Sequence, residues 1–111
     1  MSAINKSSDI ILNVNLKSLK ENYKHLTKLS KFSEIAACVK ANAYGLGLIE
    51  ISKFLISLRC KSFFVATIDE ALLLRENFEK IDIYLLNGIN NPELAIKTIK
   101  KNITVVVNND Y

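Results

Sequence analysis

Lys40 is the residue of this 111-residue chain whose type and setting most suit covalent chemistry. It follows the apolar run 34–39 (EIAACV) and precedes Ala41-Asn42-Ala43-Tyr44-Gly45-Leu46-Gly47. A short apolar run of this kind reads as a buried strand, which puts the lysine at the strand's carboxyl end. A partly desolvated amine has a lowered pKa and attacks an aldehyde more readily. A Schiff-base lysine requires that. The same position also suits a lysine that leaves the sheet and snorkels to solvent, the commoner fate of a charged side chain. Gly45 and Gly47 either let a phosphate approach the next helix N-terminus or simply make the turn.

Other polar residues carry less. His25 falls on the polar face of a helical stripe, and one histidine makes no metal site. Asp69 and Glu70 are adjacent, so they do not face each other on a helix, and helix capping accounts for Glu70. Arg75 is spaced to pair with Glu79 at i, i+4. Ser62 and Thr67 have no base beside them in the pattern, so a nucleophilic triad is not supported.

Composition narrows the class. Half of the residues are hydrophobic and 23% are charged, as in an ordinary globular protein. The net charge of +4 comes from lysines dispersed among glutamates. No basic run interleaved with aromatics offers a nucleic-acid track. No apolar run reaches the length of a membrane span, and residues 1–9 lack the apolar core of a signal peptide. Cys38 and Cys60 form no CxxC pair and read as free, buried thiols of a reducing cytosol.

Stepping along the chain, residues 10–14 read as a short strand after a polar start. Leu16, Leu19, Tyr23, Leu26 and Leu29 form a helical stripe. After Lys40 and its turn, Leu48, Ile51, Leu55 and Leu58 form the next. A second strand is expected over 62–66, and a third over 81–86. Between them a helix runs from 68 to about 78, with Thr67 and Glu70 at capping-box spacing. Asn91 and Pro92 read as N-cap and first residue of a helix reaching 101. A fourth strand covers 103–107. Apolar strands alternating with amphipathic helices predict parallel β/α units, with the active site at the strands' carboxyl ends. Four strands are about half of an eightfold barrel, which needs roughly 250 residues. An open, flavodoxin-like sheet fits the same pattern.

The segment from Val39 to Gly47 (VKANAYGLG) resembles the lysine signature of alanine racemases, V-K-A-N/D-A-Y-G-H-G. Residues 64–75 (FVATIDEALLLR) resemble that family's V-A-x-x-x-E-A-L-x-L-R stretch, and residues 16–23 (LKSLKENY) its first helix. The resemblance implies an α/β fold, the N-terminal portion (about half) of a TIM-type (β/α)8 barrel. It divides the chain into an N-terminal segment, 1–15, and a partial barrel domain, 16–111. It implies a pyridoxal 5'-phosphate enzyme interconverting L- and D-alanine in the cytoplasm for peptidoglycan.

By the same resemblance Lys40 bonds the cofactor aldehyde and serves as base on one face of the substrate. The Tyr44 hydroxyl meets the cofactor phosphate, and Leu86 and Cys38 line the cofactor pocket. The family's opposing base, its pyridine-nitrogen arginine and most phosphate contacts belong to segments beyond these residues, and its enzymes are homodimers. The chain is thus expected to be inactive alone, perfected either by a longer polypeptide or by a second chain completing the barrel. The residues depart from the family at Leu46, where histidine is usual, and at Asn13 and Asn15, where acids are common. A related barrel-type amino-acid decarboxylase shares a V-K-A-N-like core, and a non-catalytic truncated or split-gene remnant fits the length.

Overall fold

A computed structural model describes residues 9–109. Helix α1 (Leu16–Leu29) leads into strand β1 (Ala37–Cys38) and a tight turn, α2 (Lys40–Tyr44). There follow α3 (Leu48–Ser57), β2 (Ser62–Val65), α4 (Ile68–Asn77), β3 (Asp82–Leu85), α5 (Pro92–Lys100) and β4 (Thr104–Val105). The four strands are parallel and lie in the order β1-β2-β3-β4. An open doubly wound sheet reverses its strand order at a switch point. This sheet adds each strand to the last in one direction, as a β/α barrel does.

Alternation along the strands separates two faces. Phe63, Val65, Ile83 and Leu85 are wholly buried and belong to one apolar cluster with Leu48, Ile51 and Leu55 of α3 and Ala71 and Leu74 of α4. The residues between them face the other way. Cys38, Phe64, Tyr84 and Thr104 stand in register across all four strands, and each is half-buried or exposed. The Phe64 and Tyr84 rings stack there, 4.6 Å apart and 13° from parallel. The helical layer therefore covers one face of the sheet. The face that would look into a barrel is open.

The helix starts follow from local chemistry. The Asn15 side chain accepts the Ser18 N–H (3.1 Å), and that of Asn91 accepts the Glu93 N–H (2.8 Å) ahead of Pro92. Thr67 and Glu70 form the expected capping box. Three expectations fail. Residues 10–14 form no strand, and Ile11 and Leu12 are exposed; an apolar run reads alike whether or not a partner strand lies beside it. The stripe of α1 is only partly used: Leu16, Leu19 and Tyr23 pack on the core, while Leu26 and Leu29 stay exposed. Arg75 does not pair with the Glu79 carboxylate.

Instead the Arg75 guanidinium donates to five backbone carbonyls. Nε bonds Lys101 (2.9 Å), Nη1 bonds Phe78 (3.3 Å), Glu79 (2.7 Å) and Ile81 (2.9 Å), and Nη2 bonds Asn102 (2.9 Å). These carbonyls end α4, lead into β3 and lead into β4, so one planar cation gathers the amino-terminal edge of the sheet. Charged hydrogen bonds contribute about 1.5–3 kcal/mol each, less where water can replace them. Arg75→Ala is expected to destabilise the chain by about 2–4 kcal/mol. Arg75→Lys recovers little of this, because an ammonium cannot span five acceptors. Urea unfolding of the two variants beside the parent checks both expectations.

Candidate active site at the carboxyl edge of the sheet

Val39, directly after β1, is buried, and its N–H still bonds the Phe64 carbonyl (2.9 Å) of β2. Lys40 follows, half-buried, at the carboxyl edge of the sheet. There the backbone changes hand. Ala41, Asn42, Ala43 and Tyr44 have φ of 51°, 54°, 53° and 55°, and Gly45 continues at 84°. With ψ of 51°, 45° and 49° at the first three, this is a left-handed helical turn. The turn has its own ladder: the Ala43 N–H bonds the Val39 carbonyl (2.9 Å) and the Gly45 N–H the Ala41 carbonyl (2.9 Å).

A left-handed turn of non-glycine residues is expensive. The Cβ crowds the following carbonyl, at about 1–2 kcal/mol per residue. Four such residues store about 4–8 kcal/mol, comparable to the net stability of a small domain. Such strain persists only where the surroundings over-determine it, and it concentrates at functional sites. Asparagine at position 42 lowers it, since Asn tolerates this region. Its Oδ1 also accepts the Leu48 N–H (2.8 Å) at the start of α3, and its carbonyl accepts the Gly47 N–H (2.9 Å). The Ala43 methyl is buried at 3% exposure, which anchors the turn in the core. Gly47, at φ 107°, is close to Glu50: a Cβ there would stand 2.9 Å from Glu50 Oε2.

The remaining support comes from α4. Glu70 Oε1 accepts the Ala41 N–H at 2.7 Å, while Oε2 accepts those of Ala66 (2.9 Å) and Thr67 (3.1 Å). One carboxylate thus joins the peptide after Lys40 to the end of β2. Glu70 is therefore more than the helix cap that its spacing from Thr67 predicts. A glutamate at capping-box spacing gives no sign that its second oxygen reaches 29 residues back.

Of the four residues singled out for a cofactor, the structure brings three to one corner. Tyr44 is exposed, and its hydroxyl lies 3.6 Å from Cys38 Sγ. That contact pushes the Tyr44 hydroxyl pKa up from its ordinary value. Cys38 shares the open face with Phe64 and Tyr84. Leu86 is half-buried just past β3, its N–H on the Val65 carbonyl (2.8 Å). It lies two strands from β1, roughly 10 Å away by ordinary strand spacing. A cleft of about 550 Å³ opens at this same edge between β2, β3 and β4, lined by Ala66, Asn87, Gly88, Leu94 and Val106. Lys40 is not in its wall.

Of the two thiols expected to be buried, one is. Cys38 is exposed, because it falls on the open face of the sheet. Cys60 is buried, with the Ile35 and Ser62 carbonyls 3.7 and 3.6 Å from its sulfur. His25 and Leu46 are exposed. Among the described residues no group of three or more His, Cys, Asp or Glu is placed to hold a metal, and no helix is long and apolar enough to cross a membrane.

Comparison with known proteins points one way. The family model "Alanine racemase, N-terminal domain" matches residues 14–110. An alanine racemase of Rickettsia akari is 43% identical over 99 residues, 88% of this chain and 28% of that protein. That of Rickettsia prowazekii is 42% identical over 99 residues, covering 88% and 24%. The crystal structure of the Bartonella henselae alanine racemase, with covalently bound pyridoxal phosphate, superimposes with a TM-score of 0.77 at 35% identity, over 83% of this chain and 26% of that one. A histidine racemase from Leuconostoc mesenteroides superimposes with a TM-score of 0.72 at 31% identity, over 81% and 24%. The chain spans about a quarter of the length of these relatives.

Burial pushes the Cys60 thiol pKa up, and the thiolate is the reactive form. A maleimide or disulfide reagent at neutral pH is therefore expected to modify Cys38 in the folded chain and to spare Cys60. In denaturant both should react. Peptide mapping after a timed quench reads the difference.

Proposed function

The chain belongs to the family of alanine racemase N-terminal domains, and on that premise we propose that it is the cofactor-lysine part of an alanine racemase. Lys40 is the residue that bonds pyridoxal 5'-phosphate. The observation that carries this reading is the left-handed turn that begins directly after Lys40: it concentrates backbone strain on the residue next to the proposed reactive amine. The residues fit the group. Lys40 offers a primary amine to an aldehyde, half-withdrawn from water, and Tyr44 offers a neutral hydroxyl to a phosphate oxygen. Cys38 and Leu86 supply wall on the same edge.

When bound, pyridoxal phosphate supplies an electron sink for negative charge developing at a substrate α-carbon. The chain's own tasks are holding and proton transfer. The Lys40 amine takes the α-proton on one face of the substrate, or returns it there. The Tyr44 hydroxyl fixes the phosphate end, so that the α-carbon stays within reach of Lys40. Racemization also requires a group on the face of the substrate opposite Lys40. That group, with the pyridine-nitrogen contact, is assigned to a part of the barrel and a further domain outside these residues, and to the partner of a homodimer. A separate chain completing the barrel would serve equally. Residues 16–111 are then the partial barrel domain, and 1–15 the segment before it.

Alanine is the substrate favoured by the names of the relatives, and supply of D-alanine for peptidoglycan in the cytoplasm is the corresponding role. The histidine racemase likeness supports assigning side-chain selection to residues outside this quarter of the enzyme. The V-A-x-x-x-E-A-L-x-L-R match at 65–75 supports a racemase over a barrel-type decarboxylase.

Incubation with pyridoxal phosphate, borohydride reduction and peptide mapping tests the assignment. Label concentrated on Lys40 and lost in Lys40→Ala is expected, with no racemization of alanine by these 111 residues alone. Label scattered over surface lysines and unchanged in Lys40→Ala would leave the non-catalytic remnant as the better reading. Racemization by the isolated chain would overturn the assignment of the opposite face to other segments.

A further inference from the structure

We propose that Glu70 is the positioning residue for Lys40, acting through the left-handed turn rather than as a helix cap alone. The inference rests on the reading of Lys40 as the cofactor lysine. Its geometry stands independently of that reading. Ala41 N–H belongs to the peptide bond formed with the Lys40 carbonyl. Ala43, Gly45, Leu46 and Gly47 donate to carbonyls within residues 39–43 of the turn. The Ala41 donor goes instead to Glu70 Oε1, at 2.7 Å. This is a charge-assisted bond at the residue where the backbone changes hand.

The other oxygen fixes where the carboxylate stands. Glu70 Oε2 receives the N–H groups of Ala66 and Thr67, which directly follow β2, the strand beside β1. The Thr67 hydroxyl receives the Glu70 N–H at 3.4 Å and holds the first turn of α4. The carboxylate therefore has two tasks on two oxygens. Oε2 caps α4, as any capping-box glutamate does. Oε1 ties the Lys40–Ala41 peptide plane to β2. A glutamine has one acceptor and one donor group in the same place, so it cannot serve donors on both sides. Loss of Oε1 frees the entry to the turn, and the Lys40 backbone then loses the fixed direction from which its side chain leaves.

Two readouts on the 111-residue chain separate this role from a structural one. The first is amide hydrogen exchange at Ala41, which needs no cofactor. The second is the fraction of borohydride-trapped pyridoxal phosphate found on Lys40. In Glu70→Gln, Ala41 exchange should rise about tenfold or more, and the Lys40 fraction should fall toward that of a surface lysine. Thr67→Ala removes the hydroxyl of the same cap and should leave both readouts near the parent's. Should Glu70→Gln not fold, Glu70→Asp keeps an acid in the first turn of α4 but is one methylene shorter, and the same changes are expected. Unchanged Ala41 exchange in the Glu70 variants overturns the proposal, as does an equal effect of Thr67→Ala. If the parent itself shows no preference for Lys40, the cofactor reading falls. Ala41 exchange then decides the Glu70 claim alone, faster exchange in Glu70→Gln upholding it and unchanged exchange overturning it.

Discussion

A backbone that changes hand directly after Lys40 is the constraint around which this structure is arranged. Four left-handed non-glycine residues are unfavourable on their own. They are held by a buried methyl at Ala43, by both the side chain and the carbonyl of Asn42, and by the carboxylate of Glu70. The result is a short, rigid exit from β1. A right-handed helix starting at the same place would carry the chain onward from the sheet along another path. The tight turn instead keeps Tyr44 back over the strand end, with its hydroxyl beside Cys38.

Stability and strain are divided between the two edges of the sheet. The amino-terminal edge is gathered by Arg75, which satisfies five carbonyls from three segments. Between the edges lies the apolar layer of Phe63, Val65, Ile83 and Leu85 under α3 and α4. The carboxyl edge carries the turn, the exposed tyrosine and an open cleft. This is the division expected of a β/α barrel, where the lower face holds the fold and the upper one does the chemistry. The other face of the sheet, with the Phe64–Tyr84 stack, carries no helical layer among the described residues.

Much of this was legible in the residues. Period and capping placed α3, α4 and α5, because their signals are local: a stripe, a Thr-x-x-Glu pair, an Asn-Pro start. Strand centres were legible, but their ends were not. The apolar run 34–39 yields a ladder at only Ala37 and Cys38, since hydrophobicity does not reveal which residues find a neighbour. Burial of Cys38 was not legible either: a strand residue's exposure depends on which face of the sheet the helices cover. The lysine signature pointed to Lys40 and Tyr44, and the geometry adds the Cys38 contact. The hand of the turn was hidden, because Ala-Asn-Ala-Tyr has no glycine where positive φ is required. The reach of Glu70 was hidden as well, since it depends on β1 and β2 standing side by side.

The most direct test of this account is the backbone hand at Ala41, Asn42, Ala43 and Tyr44 in solution. At positive φ an amide proton lies closer to its own α-proton than in any right-handed or extended residue. Intraresidue amide to α-proton nuclear Overhauser effects, measured on the labelled chain, report this residue by residue. The account predicts four consecutive strong effects at these non-glycine positions, with weak ones across α3 and α4. Weak effects throughout residues 41–44 would mean an ordinary turn, and the strained presentation of Lys40 would be contradicted.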